Sequence, residues 1–172
     1  MEILLATDGF DTAQLVVDFL VDFPLPADSQ ITLATVIKEV LSVDKVEHLS
    51  AESRLEFDSV QKAAEDDARN LLETEAIRLT EAGFATDIKV LVGHTAEELV
   101  RLATELKSDI IALGSHGRSD ASRYVLGSVS DHVLKHAPCS ILIVKANSPR
   151  EGDSPRFPRD QDHWRLLLSY FL

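Results

Sequence analysis

Residues 114 to 128 read GSHGRSDASRYVLGS and hold three of the chain's seven glycines, with His116, Arg118, Arg123 and several serines among them. Gly114 closes an apolar run and Gly117 follows close behind, so backbone amides there can turn toward one point with no Cβ in the way. Successive amides of this kind make an anion-binding nest. Gly127 and Ser128 stand where a helical-looking segment, SDHVLKHA, begins, and the free N–H groups and dipole of a helix start attract phosphate. The dipole contributes only about 0.3–1 kcal/mol at an exposed site. The Ser128 hydroxyl and the charge of Arg118 or Arg123 would have to add to it. A flexible surface loop that happens to hold glycines is the other reading of the same spacing.

Two better-known phosphate motifs are absent. There is no GxxxxGK(S/T), which excludes a P-loop NTPase, and no GxGxxG after the first apolar run, where ATDGFDT stands. Asp8 in that run reads either as a ligand contact or as a cap for the helix that follows. His132 and His136 stand four apart, a metal-ligand spacing, but no third ligand is evident near them. His136 also falls where a helix C-terminus favours partial positive charge, so the pair is not read as a metal centre. Cys139 is the chain's one cysteine, which excludes an intrachain disulfide. Beside Pro138 at a strand entry, it reads as a small buried hydrophobe, not a reactive thiol.

Positioning these residues requires a regular scaffold, and the apolar pattern supplies one. Short aliphatic runs at 3–7, 31–37, 88–92, 109–114 and 140–145 suit parallel strands buried on both faces. Between them, residues 11–23 follow a candidate capping box of Asp11 with Gln14, and 95–107 follow a clearer one of Thr95 with Glu98. Leu99, Leu102, Ala103 and Leu106 then form one stripe. The longest helix is expected over 52–82, with Val60, Ala64, Ala68, Leu71, Leu72, Ala76 and Leu79 on its buried face and Gly83 as its C-terminal cap. Residues 44–82 carry eleven acids against five bases, read as a solvated helix face. The alternation predicts an α/β fold: one doubly wound parallel sheet with helices on both faces. Ligands of such sheets bind beyond the strands' carboxyl ends, where strand order reverses.

Bulk properties narrow the function classes. The 172 residues carry a formal net charge of −12, which repels phosphate backbones and argues against nucleic-acid binding. No apolar run approaches the ~20 residues of a membrane span, and MEILLATDGF lacks the features of a secretory signal, so a cytoplasmic location is expected. From Asn147 the character changes. A proline-containing linker leads to an apolar end, Trp164 to Leu172, that could dock on this domain, a second copy or another protein. The expected division is one α/β domain over 1–146, holding the candidate phosphate loop, and a linker with tail over 147–172.

Gly114-x-x-Gly117, nine residues, then Gly127-Ser128 resembles the G-2x-G-9x-G-(S/T) signature of the ATP-binding branch of the universal stress protein family. ILLATDG, LATVI, VGHTAEELVRLATE and DHVLKHAPCSILIVK are similar to the same family, so the resemblance covers residues 1 to about 146. It implies a five-stranded sheet in the order 3-2-1-4-5, a homodimer paired through the last strand (Ser140 to Lys145), and ATP, with Mg2+ on its phosphates, beside the first and fourth strands. Carried over by position, Asp8 contacts the nucleoside end and Val36 supplies backbone contacts to adenine. Thr7 and Leu113 line the adenine pocket, and Gly114 meets the ribose. His116, Gly117, Gly127, Ser128, Val129 and Ser130 surround the phosphates, with Arg118 beside them. The chain departs from the family at Phe10, where many members carry Ser, and at Thr95, where Pro is frequent.

The function so implied is stress-response sensing or signalling through nucleotide occupancy. No lysine corresponds to a P-loop lysine and no carboxylate is clearly placed to position water, so at most slow ATP hydrolysis is expected. Two rivals come from other classes: an enzyme of the wider adenine-nucleotide α-hydrolase-like group, for which the chain shows no catalytic motif, and a nucleotide-independent dimeric interaction module, which would not need the glycine signature.

Overall fold

Aliphatic runs too short for helices pair here as parallel strands. The computed structural model describes residues 1–9, 11–38, 50–115 and 126–145. The strands are β1 (Glu2–Ala6), β2 (Gln30–Ile37), β3 (Ala85–Val92), β4 (Ile110–Gly114) and β5 (Ser140–Val144). They form one sheet in the order β3-β2-β1-β4-β5, every pairing parallel. The expected order and class are therefore observed. Central β1 sets Ile3 opposite both Ile31 and Ile110, and Leu5 opposite both Leu33 and Ala112.

Four helices are described: α1 (Asp11–Asp22), α2 (Ala51–Glu81), α3 (Thr95–Leu106) and α4 (Ser128–His136). Alternation along the strands divides the core in two. Ile3, Leu5, Ile31 and Leu33 pack against Val16, Val17 and Leu20 of α1 and Leu72 and Leu79 of α2. Leu4, Ala34, Ile111 and Leu113 pack against Leu99, Leu102 and Ala103 of α3 and Val133 of α4. Each fully buried Leu or Ile contributes about 1.5–3 kcal/mol, so both layers are strong determinants of the fold.

Helix ends refine the sequence reading. Gly83 (φ +98) terminates α2 as expected: its N–H reaches Thr80 O at 2.9 Å, and Phe84 N–H reaches Leu79 O at 3.1 Å. That pair of bonds is a Schellman closure, which requires a left-handed residue. Ser50 caps the other end, accepting Ser53 N–H at 3.2 Å. The expected Thr95–Glu98 box does not form. His94 is the N-cap of α3, with no side-chain cap bond, and Thr95 is the first helical residue. Glu98 pairs with Arg101 instead, at 2.7 Å, and lies over Gly93, where an added Cβ would come within 3.0 Å of its Cγ. The expected buried face of α2 also shortens. Val60 is 64% exposed because only the C-terminal part of the helix is buried, at Leu72, Glu75 and Leu79.

Candidate functional site

β1 leads to α1 on one face of the sheet and β4 leads to α4 on the other, so the order reverses between these two neighbours. A crevice at their carboxyl ends is where open parallel sheets take ligands. Thr7 continues the β1 ladder, its N–H donating to Ala34 O at 2.9 Å. Its side chain is buried toward α2, where the hydroxyl donates to Glu75 Oε1 at 3.1 Å. The same hydroxyl oxygen accepts Gly9 N–H at 3.2 Å. Gly9 has φ +76, and a Cβ there would lie 2.6 Å from Leu71 Cδ2, so both backbone angle and space select glycine. Asp8 stands exposed between these two residues.

On the other face of the sheet the strand ends are apolar. Leu113 is buried, and half-buried Val36 and Val129 pack against the cluster that contains it. Gly114 closes β4. Ser115 N–H then donates to Val144 O at 2.9 Å. The two described ends of the glycine stretch are fastened together. Gly127 N–H donates to Ser115 O at 2.8 Å, and the buried Ser130 hydroxyl lies 3.0 Å from both Ser115 O and Gly127 O, its one proton shared between them. Gly127 is the extended N-cap of α4, whose first intrahelical bond runs from Asp131 N–H to Gly127 O. The N–H groups of Ser128, Val129 and Ser130 have no backbone partner among the described residues. Leading amides of this kind are the ones a helix start leaves open, the feature that draws anions to such positions.

Of the sequence-predicted site residues, the structure therefore brings Thr7, Asp8, Val36, Leu113, Gly114, Gly127, Ser128, Val129 and Ser130 to the carboxyl ends of the strands and the start of α4. His116, Gly117 and Arg118 lie outside the described residues, as do Phe10, Arg123 and the tail from residue 147.

These sites sit on a chain whose relationships are decided by one match. The model of the universal stress protein family matches residues 1–145. The chain belongs to that family. Among universal stress proteins, MJ0577 of Methanocaldococcus jannaschii is 29% identical over 152 residues, covering 84% of this chain and 94% of its own. Its solved structure superposes with a TM-score of 0.71 at 28% identity, over 86% of this chain and 97% of that one. A universal stress protein in complex with cAMP has the same fold at 22% identity, with a TM-score of 0.59 over 84% of this chain and 95% of its own. So does an Arabidopsis thaliana member with AMP bound, at 18% identity and a TM-score of 0.59, over 86% of this chain and 93% of that one.

Remaining candidates in this universal stress protein fall away from the crevice chemistry. Cys139 is half-buried against the second core layer, and burial pushes its thiol above the ordinary range. The His132 and His136 rings stack at 4.2 Å, and His136 Nδ1 lies 2.9 Å from the His132 carbonyl. Among the described residues no group of three or more His, Cys, Asp or Glu is gathered for a metal. A shallow groove along α2 and β3, lined by Ala76, Ile77, Thr80 and Ile88, receives none of the predicted residues. No described helix is long and apolar enough to cross a membrane.

One participant is missing from the sequence reading. Glu75 is 3% exposed, and its charge led it to be counted with the solvated acids of α2. The signal was its spacing: it lies three residues after Leu72 and four before Leu79, on the apolar stripe itself.

Proposed function

We propose that this universal stress protein binds ATP at the β1–β4 switch point and acts as a stress-response sensor through nucleotide occupancy. The observation that carries this reading is the intact glycine signature, with Gly127 and Ser128 at a helix start whose three leading amides have no backbone partner among the described residues. Val36 would face adenine through its backbone, with Thr7 and Leu113 lining the pocket, Asp8 at the nucleoside and Gly114 at the ribose. Gly117 and the α4 start, helped by His116 and Arg118, would hold the phosphates. The AMP and cAMP carried by two proteins of the same fold support an adenine ligand. Mg2+ would be held by the phosphates and water, since it keeps much of its hydration and needs few protein oxygens.

The protein is proposed to work as a homodimer. β5 is an edge strand, and Ile141, Leu142, Ile143 and Val144 are only half-buried in the single chain. An open aliphatic edge invites pairing with a second copy. A sedimentation mass of one chain at micromolar concentration contradicts that assembly. For the site, calorimetric titration of ATP into the native protein is expected to saturate at one per chain. Gly117→Val should stay folded and lose binding, and unchanged affinity would overturn the loop assignment.

A further inference from the structure

The turn that carries Asp8 is held from below at two points, one helical turn apart on α2. Leu71 closes over Gly9 so tightly that a Cβ would clash, and Glu75 takes the Thr7 hydroxyl. The bonds run in series: Gly9 N–H to Thr7 Oγ1, and Thr7 O–H to Glu75 Oε1. Glu75 Oε2 is buried with no partner among the described residues. Nothing in core packing calls for a carboxyl at this position, where Leu72 and Leu79 flank it and Ile31, Leu33, Ile88 and Val90 complete the layer. An apolar residue would serve the core better, because a buried carboxyl without full hydrogen bonding is costly.

We propose that Glu75 is a positioning residue of the nucleotide site, acting through the Thr7 hydroxyl to fix the Thr7–Asp8–Gly9 turn. The proposal rests on the nucleotide reading for its ligand, but its structural half does not. An ionised Glu75 can only accept, so it orients the Thr7 proton toward itself and leaves the Thr7 lone pairs to the Gly9 amide. The bond from Thr7 is then charge-assisted and stronger than its neutral counterpart. A protonated carboxyl can donate to Thr7 Oγ1 instead, which competes with Gly9 and loosens the turn. Burial raises the Glu75 pKa and the charge of Asp8 adds to the rise, while the Thr7 bond and Arg78 oppose it. Arg78 is itself paired with Asp18 of α1, and the β2 and β3 residues packed on this face, Ile31, Leu33, Ile88 and Val90, with Thr86 beside Thr80, bring no titratable group. The switch between the two states therefore lies above the ordinary glutamate range.

Two measurements on the full chain test this. In the ligand-free protein, the Gly9 amide proton followed by NMR from acid to neutral pH should titrate with an inflection above the usual glutamate value. Glu75→Gln and Thr7→Val should abolish that inflection, and Thr7→Ser should restore it. With MgATP, the ratio of the Glu75→Gln to the native Kd removes the ligand's own titration. It should be near one at low pH and rise about three- to tenfold above the inflection, the cost of exchanging a charge-assisted bond for a neutral one. A Gly9 shift indifferent to Glu75, or a ratio that stays flat or falls with pH, overturns the proposal. A native protein that shows the Gly9 titration yet binds no ATP overturns the nucleotide role of Glu75 and leaves only the turn contact.

Discussion

Ser130 and Ser115 are joined by a hydrogen bond that spans the glycine stretch: the Ser130 hydroxyl donates to the Ser115 carbonyl at 3.0 Å. The same carbonyl accepts Gly127 N–H, so one acceptor pins both the end of β4 and the start of α4. The Ser130 hydroxyl is thus turned inward, and under the proposed function it is the backbone N–H of Ser130 that would meet a phosphate. Ser130→Ala is expected to destabilise the fold by about 1 kcal/mol, the usual net worth of one such bond. It should also weaken ATP binding about three- to tenfold by loosening the α4 start, an effect of similar size in free energy. Thermal unfolding and calorimetry check both. Native-like ATP affinity in the variant would mean that the fastening does not serve the site.

Glu75 should make stability depend on pH in an unusual direction. Its pKa is raised in the folded chain, so the native state holds its proton over a range where the unfolded chain has lost it. Stability from this group is greatest at low pH and declines as pH rises from the ordinary value through the raised one. Glu75→Gln removes that decline. The variant is expected to melt above the native protein at pH 7. The gap should close toward pH 4. A variant that melts lower at pH 7, or a gap independent of pH, contradicts the assignment.

Lys107 offers a control far from the crevice. It ends α3 with φ 53 and ψ 45, a left-handed conformation that its Cβ disfavours. Lys107 N–H to Thr104 O and Ser108 N–H to Ala103 O complete a Schellman closure like that at Gly83, with lysine in the glycine position. Lys107→Gly should stabilise the protein by about 0.5–1 kcal/mol, the left-handed penalty less the entropy glycine adds to the unfolded chain. Denaturant titration measures this, and ATP affinity should not move.

The sheet was legible because parallel strands buried on both faces leave uninterrupted aliphatic runs such as ILLAT and ITLATVI. Gly83 was legible for a similar reason, since a left-handed C-terminal cap selects glycine. The start of α3 was not, because Thr95 satisfies the capping-box pattern while the chain enters the helix one residue earlier, at His94. Val60 fits the period of α2, but periodicity cannot say how far a long helix outlasts the layer it packs on. At the site, Thr7, Asp8 and the Gly127–Ser128 junction could be placed from strand ends and glycine spacing. The inward turn of Ser130 and the burial of Glu75 depend on contacts across 15 and 68 residues, which no local pattern encodes.

Nucleotide binding at the β1–β4 switch point is tested most directly by denaturing the purified protein and identifying what it releases. Chromatography and mass spectrometry name the nucleotide, and the emptied, refolded protein is then titrated with ATP, ADP, AMP and cAMP. The expected result is a released adenine nucleotide, or saturable ATP binding at one site per chain. A protein that releases none and binds none of the four, with its fold intact, contradicts the assignment.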